Sequence, residues 1–412
     1  MLCARTHARR LLAWLVGLAV MVAAGQALAL PETRPFFLYL LTNPPASTNA
    51  IIGFRVGADD SLASIPGLPF PTGGSGLASP VGAEYSHRLA ASWSSNRLFA
   101  ANEQQGSIAV FNIDPLTGVL TTVAGSPFLI AGWANSGGTS LNVSANGQLL
   151  YASNGGSVMS LRVASDGALT PVGGRFDFSS RINGTAVSEA NDYLVLAMPD
   201  RVTVVKTGPN GISGLLPLTL SLGGVPTDVA INHAGNVLYV GTKNGGIHGF
   251  RFDGTTFTPL AGTPFSGTTT HLSGLAPDHT ERVLAVHGAV VPRTASLLVA
   301  SDGGLSAGPN SPLTPSIPAP TGGTMSPDGR RLFLSNNAGQ IDVWRIDESG
   351  ALNHAPSFPT STGATTGTSK LVAFPDKTPT PAPALPAGAM LLLLGSLLSV
   401  GVGASRARRA QR

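Results

Sequence analysis

The feature of this 412-residue sequence that most limits its fold is a self-similar unit recurring along most of its length. Each unit has an apolar strand, a turn of Ser, Pro, Asp or Gly type, and a second apolar or aromatic strand that often ends in Asn. The units are Ser92 to Asn102, Ser144 to Asn154, Ser188 to Met198, Asn232 to Thr242, Ala276 to His287 and Ser326 to Asn336. A third alternating strand follows, such as Ile341-Asp342-Val343-Trp344-Arg345-Ile346, and then a turn into a fourth. Fourth-strand signatures recur seven times, at Leu62, Leu120, Leu169, Leu215, Phe257, Leu305 and Leu352. Sets of four short strands, spaced about 44 to 52 residues apart, cannot cover their own apolar faces and must stack on neighbours. The pattern therefore predicts an all-β, seven-bladed β-propeller over residues 35–376.

The two ends of this region complete each other. The first repeat begins at its second strand, Phe37-Leu38-Tyr39-Leu40-Leu41-Thr42-Asn43, and lacks a first one. Ser369 to Phe374 matches the missing strand, with Phe374-Pro375-Asp376 in the place of Ser326-Pro327-Asp328. Both termini should then share one blade and tie the ring shut.

Residues 1–29 have the layout of a signal peptide: basic Arg5, Arg9 and Arg10, apolar Leu11 to Ala24, and a small-x-small site at Ala27-Leu28-Ala29. Arg9-Arg10 also fits a twin-arginine signal, although the general secretory route is the default. Cys3, the one cysteine, falls in this segment, so the mature chain has no disulfide and no thiolate metal site. At the other end a Pro-rich linker (377–386) precedes an apolar run (387–404) and a basic tail (405–412) with Arg406, Arg408, Arg409 and Arg412. That order reads as a transmembrane helix with a cytoplasmic stop, and it puts the domain on the periplasmic side of the inner membrane or at the cell surface. The termini hold seven of the 25 basic residues and none of the 21 acidic ones, which leaves the propeller near −3. Without a basic excess or cluster, nucleic acid is not an expected partner.

The segments Tyr39-Leu40-Leu41-Thr42-Asn43, Leu238-Tyr239-Val240 and Ser326-Pro327-Asp328-Gly329-Arg330, with Gly125-Ser126-Pro127-Phe128 and Gly262-Thr263-Pro264-Phe265, resemble the YVTN-type repeats of the lactonase-like (6-phosphogluconolactonase-like) propellers. That resemblance implies lactone hydrolysis on one face of the central channel. In enzyme-like members one blade begins with a His and follows its second strand with Asp-Leu-Gly-x-Asp. His87 fits the first position, but Asn102-Glu103-Gln104-Gln105-Gly106 lacks both acids, which argues against hydrolysis. The tail resembles the PEP-CTERM class, which implies processing by an exosortase. Pro383-Ala384-Leu385-Pro386-Ala387-Gly388 lacks the usual Glu, so a cleaved tail and a plain anchor both stay open.

Counting back five residues from each turn gives His87, Thr139, Asn183, Thr227, His271, Thr321 and Ser369, a polar ring at the start of the innermost strands. Such a ring suits a solvated channel mouth that binds a ligand, or polar residues that merely hydrate the channel. His87 and His271 are the candidate catalytic residues, nearly opposite across seven blades. A general base needs an orienting carboxylate, and neither Glu84 nor Asp228, the neighbours in sequence, is placed by the pattern to supply it. Two histidines are too few for a metal centre, and no cofactor motif is present. His233 and His279 fall in turns, His248 and His287 on strands. The expected role is a binding or interaction module for a small ligand, a protein or an envelope polymer, with lactone hydrolysis as the alternative.

Overall fold

A computed structural model describes residues 35–375 apart from 43, 45–47, 78–86, 135–136, 190–191, 244–245, 266–271, 289–293, 357–358 and 364–369. The expected signal and transmembrane helices lie outside these residues. No helix among the described residues is long and apolar enough to cross a membrane.

The described strands form seven antiparallel sheets, each built on an up-and-down run of four strands, with a fifth strand added in three of them. They are blades 1 to 7 below. Blades 2 to 7 begin at Leu89, Ser140, Gly184, Val225, Leu272 and Pro320. Blade 1 is built from both termini: Lys370–Phe374 pairs antiparallel with Phe36–Leu41, setting Val372 opposite Tyr39 and Phe374 opposite Phe37. The closure expected from the sequence is present.

Strand alternation explains why the blades stack. Phe37, Tyr39 and Leu41 point toward blade 2 and pack with Leu98 and Phe111, while Leu38 and Leu40 point the other way onto Phe333 and Val343 of blade 7. The same period of two, apolar on both faces, marks the second and third strands of each blade, because both faces are buried. Seven apolar clusters result, one between each pair of adjacent blades.

Polar residues of the repeat have structural tasks. The turn Ser or Asn accepts the amide five residues on, as Ser144 Oγ does from Leu149 (2.9 Å) and Asn232 Oδ1 from Val237 (2.9 Å). The repeat tyrosine reaches into the next blade: Tyr39 donates its hydroxyl to Gly118 O and Tyr239 to Gly303 O, each at 2.7 Å. Both glycines sit at positive φ (74° and 84°), where a side chain would be strained. Burial pushes both phenols far above their ordinary range. Asp60, itself buried, receives Arg331 and Arg345 from blade 7 and adds an ionic tie across the closing interface.

Two registers differ from the sequence expectation. In blade 6 the turn residue whose amide bonds five residues on is Asp278, to Val283 O, as Asn232 does to Val237 O and Ser326 to Arg331 O. The unit therefore starts at Asp278, and the alignment on Ala276 was two residues early. In blade 1, Phe374 opposes Phe37 as Met325 opposes Leu332, so Pro375, not Phe374, holds the turn position. An aspartate in place of the turn serine hid the first shift, and a proline in the same place hid the second.

The turns into the fourth strands are capped by aspartates. Asp253 accepts from the Thr255 and Thr256 hydroxyls and amides, and these bonds hold its carboxyl far below the usual range. Asp59 (through Ser61), Asp114 (through Thr117) and Asp347 (through Ser349) are lowered in the same way. A carboxyl with a depressed folded pKa stabilises the fold above its unfolded value and loses that contribution as pH falls toward the folded one. The melting temperature should thus decline progressively below about pH 4, and less steeply in Asp253→Asn. A flat profile from pH 5 to pH 2 would contradict the caps' role.

Candidate active site

The first strand of each blade lines the central channel, and its leading residues set what the channel offers. Four members of the polar ring, Thr139, Asn183, Thr227 and Thr321, are buried within the wall. Thr227 Oγ1 donates to Gly241 O (3.1 Å), Asn183 Nδ2 to Pro226 O (2.7 Å) and Thr321 Oγ1 to Asn337 Oδ1 (3.1 Å). Asn183 and Thr227 are tied to strand carbonyls and Thr321 to a side chain, and all four are buried in the wall and do not stand in a solvated mouth. In blades 5 and 7 the register slips at this position, between Pro226 and Asp228 and between Pro320 and Gly322, which turns Thr227 and Thr321 out of the ladder. His271 and Ser369 lie outside the described residues. The corrected registers put Ser273 and Lys370, not His271 and Ser369, in line with the other five.

His87 is the exception, because its side chain is 34% exposed. Its backbone is fixed by blade 3: the His87 amide donates to Ser140 Oγ (3.0 Å) and its carbonyl accepts from Leu141 (2.8 Å). From blade 2 the ring crosses to blade 5, where Nε2 lies 3.1 Å from Asp228 Oδ1. The carboxylate that sequence reasoning did not credit with this task is therefore the one that performs it. No spacing pattern signals this pair, since the two residues are 141 positions apart and meet only when the ring closes.

Asp228 is fully buried. Oδ1 also accepts from the Val229 amide (2.9 Å), and Oδ2 accepts from the Leu275 amide of blade 6 (2.9 Å). Gly184 makes room for it, since a Cβ there would lie 2.6 Å from Asp228 Oδ1. A carboxylate so held keeps a proton on the Nε2 that faces it and leaves Nδ1 as the lone-pair nitrogen. An oriented neutral imidazole of this kind can take a proton from water.

His87 sits in the lining of a cavity of about 590 Å³ between blades 3 and 6. Near it are Asn142 and Thr185, whose side chains hydrogen-bond to each other. Farther out the wall is Val143, Val187, Ile231 and Pro277, and the rim carries Glu189, His233, His279 and Glu281. The two turn histidines thus meet at this rim with ring centroids 5.8 Å apart, and His233 Nδ1 is 3.6 Å from Glu189 Oε2. Among the described residues no three His, Asp or Glu side chains are grouped to hold a metal ion.

Glu103, in the segment that lacks both family acids, has a structural task. It is buried beside Arg88 (Oε2 to Nε 2.8 Å), and its Oε1 accepts the amides of Gly138 and Thr139 (2.8 and 2.9 Å), clamping blade 2 to blade 3. Glu103→Gln keeps an amide acceptor but leaves Arg88 as a buried uncompensated charge. Denaturant unfolding should show a loss of about 3 kcal/mol; a change under about 0.5 kcal/mol would mean that the clamp is dispensable. A second carboxylate, Asp342, meets His354 Nε2 at 2.6 Å, and Ser316 Oγ meets the same nitrogen at 2.8 Å. Because serine and aspartate share one ring nitrogen, this trio cannot relay a proton as a catalytic triad does.

No protein-family model matches the sequence, and no curated protein is similar to it. Solved structures do match. A putative 6-phosphogluconolactonase from Bacteroides fragilis superposes with a TM-score of 0.64 at 14% identity, over 84% of this chain and 99% of the other. A second, from Bacteroides uniformis, gives 0.62 at 16% over 83% and 100%. The periplasmic gluconolactonase of Pseudomonas aeruginosa gives 0.58 at 19% over 82% and 99%. At these identities the likeness is one of fold. The chain is a seven-bladed β-propeller.

Proposed function

We propose that the protein hydrolyses a lactone, with His87 as general base. The observation that carries this reading is the His87–Asp228 pair at the cavity wall, which supplies the orienting carboxylate whose lack had favoured a purely binding role. In the step, His87 Nδ1 takes a proton from water as the water oxygen attacks the lactone carbonyl carbon. The ring C–O bond then breaks, the leaving alkoxide takes the proton from His87, and a hydroxy acid leaves. The named activities of the similar propellers support the same reaction class. The compartment is part of the reading: the signal-like N-terminus and the apolar, Arg-terminated tail favour export and retention at the membrane, with or without tail processing.

The test is ring opening by the purified full-length chain against a panel of lactones, followed by proton release with the uncatalysed rate subtracted. His87→Gln should lower kcat about 10²- to 10⁴-fold. Saturable binding of a panel member by both proteins with no turnover by either would favour the binding-module role expected from the sequence.

A further inference from the structure

We infer that the cavity selects an uncharged lactone with an aliphatic substituent, in preference to a sugar lactone or its phosphate ester; this rests on the hydrolase reading. The first observation is a register. Val143, Val187, Ile231 and Pro277 each occupy the position just before the turn residue, in blades 3, 4, 5 and 6. All four line the cavity and all are at least partly exposed. Four successive blades thus present a continuous apolar arc between the His87 end and the rim. A chain of methylenes laid along it would gain about fourfold in affinity per buried methylene.

The second observation is the scarcity of polar groups at depth. Beside His87 the cavity offers Asn142 and Thr185, and the Asn142 amide is already donated to Thr185 Oγ1. A sugar lactone would bring several hydroxyls into this wall, and each one left without a partner would weaken binding about tenfold.

The third is charge. The cavity lining includes carboxylates Glu189, Asp278 and Glu281 against one guanidinium, Arg251, whose Nη2 is donated to Asp302 O (2.9 Å). Phosphate recognition calls for converging Arg and Lys side chains, and among the described residues no lysine lines the cavity. A phosphate dianion entering here would instead face an acidic rim.

Three probes decide the matter: δ-decalactone, glucono-δ-lactone and 6-phosphoglucono-δ-lactone. Turnover is measured with the wild-type chain, and binding is measured by calorimetry with His87→Gln. The expected result is a kcat/KM and an affinity for δ-decalactone at least tenfold above those for gluconolactone, with the phosphate ester weakest. Ile231→Asp, checked for a wild-type melting profile, should lower the affinity for δ-decalactone at least tenfold. Equal or tighter binding of gluconolactone or its phosphate overturns the inference, as does no binding of any probe. Tighter binding of δ-decalactone without wild-type turnover of any lactone would sink the hydrolase reading and leave the cavity's preference standing.

Discussion

A chain ending at Thr368 is expected to lose its cooperative unfolding transition altogether. The deletion removes Lys370–Phe374, the strand that completes blade 1 and joins Phe36–Leu41 through five residue pairs. Phe374 is fully buried, and its ring lies 5.4 Å from that of Trp93 in blade 2. Loss of that ring alone costs about 3–5 kcal/mol, and Leu371 and Ala373 go with it. The deletion also leaves Phe36–Leu41, still paired with Thr48–Val56 on one side, as an open edge strand, which is a template for aggregation. Net stabilities of about 5–15 kcal/mol do not survive losses of this kind. The same strand and its turn, fused ahead of Pro35, should restore a sigmoidal melt, because the ring needs the strand and not its place in the chain. Calorimetry checks both; a truncated chain melting within a few degrees of the full-length protein would show that the closure is dispensable.

The closure was legible in the sequence because it rests on local pattern. Most blades repeat the turn serine or asparagine, several the strand-ending asparagine and all the alternation, and these features are decided by neighbours a few residues away. Registers were less secure where the turn chemistry departed from the repeat, at Asp278 and Pro375. The polar ring shows a different limit: Thr139, Asn183, Thr227 and Thr321 lie near the starts of the inner strands, but polarity alone could not tell a wetted side chain from one buried and bonded within the wall. The His87–Asp228 pair lay beyond reach for a third reason. Its geometry depends on the ring's diameter and on the small Gly184, and neither has a signature in the spacing of the two residues. The arc from Val143 to Pro277 was written in the sequence at one register position, yet reading it as a cavity wall required knowing which end of the strands opens to solvent.

The proposed hydrolysis turns on Asp228 fixing the tautomer of His87, and the kinetics of Asp228→Asn test this most directly. An asparagine can turn its oxygen toward the Val229 and Leu275 amides or its NH₂ toward the imidazole, but it cannot serve every partner at once. With the NH₂ facing Nε2, that nitrogen must accept, the proton moves to Nδ1, and the base is lost. The lost acceptor should cost about 1–2 kcal/mol of stability, leaving a folded protein. On a lactone that the wild type opens, kcat should fall about 10²- to 10⁴-fold with KM within a few-fold. A variant that is folded and retains kcat within threefold of wild type would contradict the assignment of His87 as an oriented base.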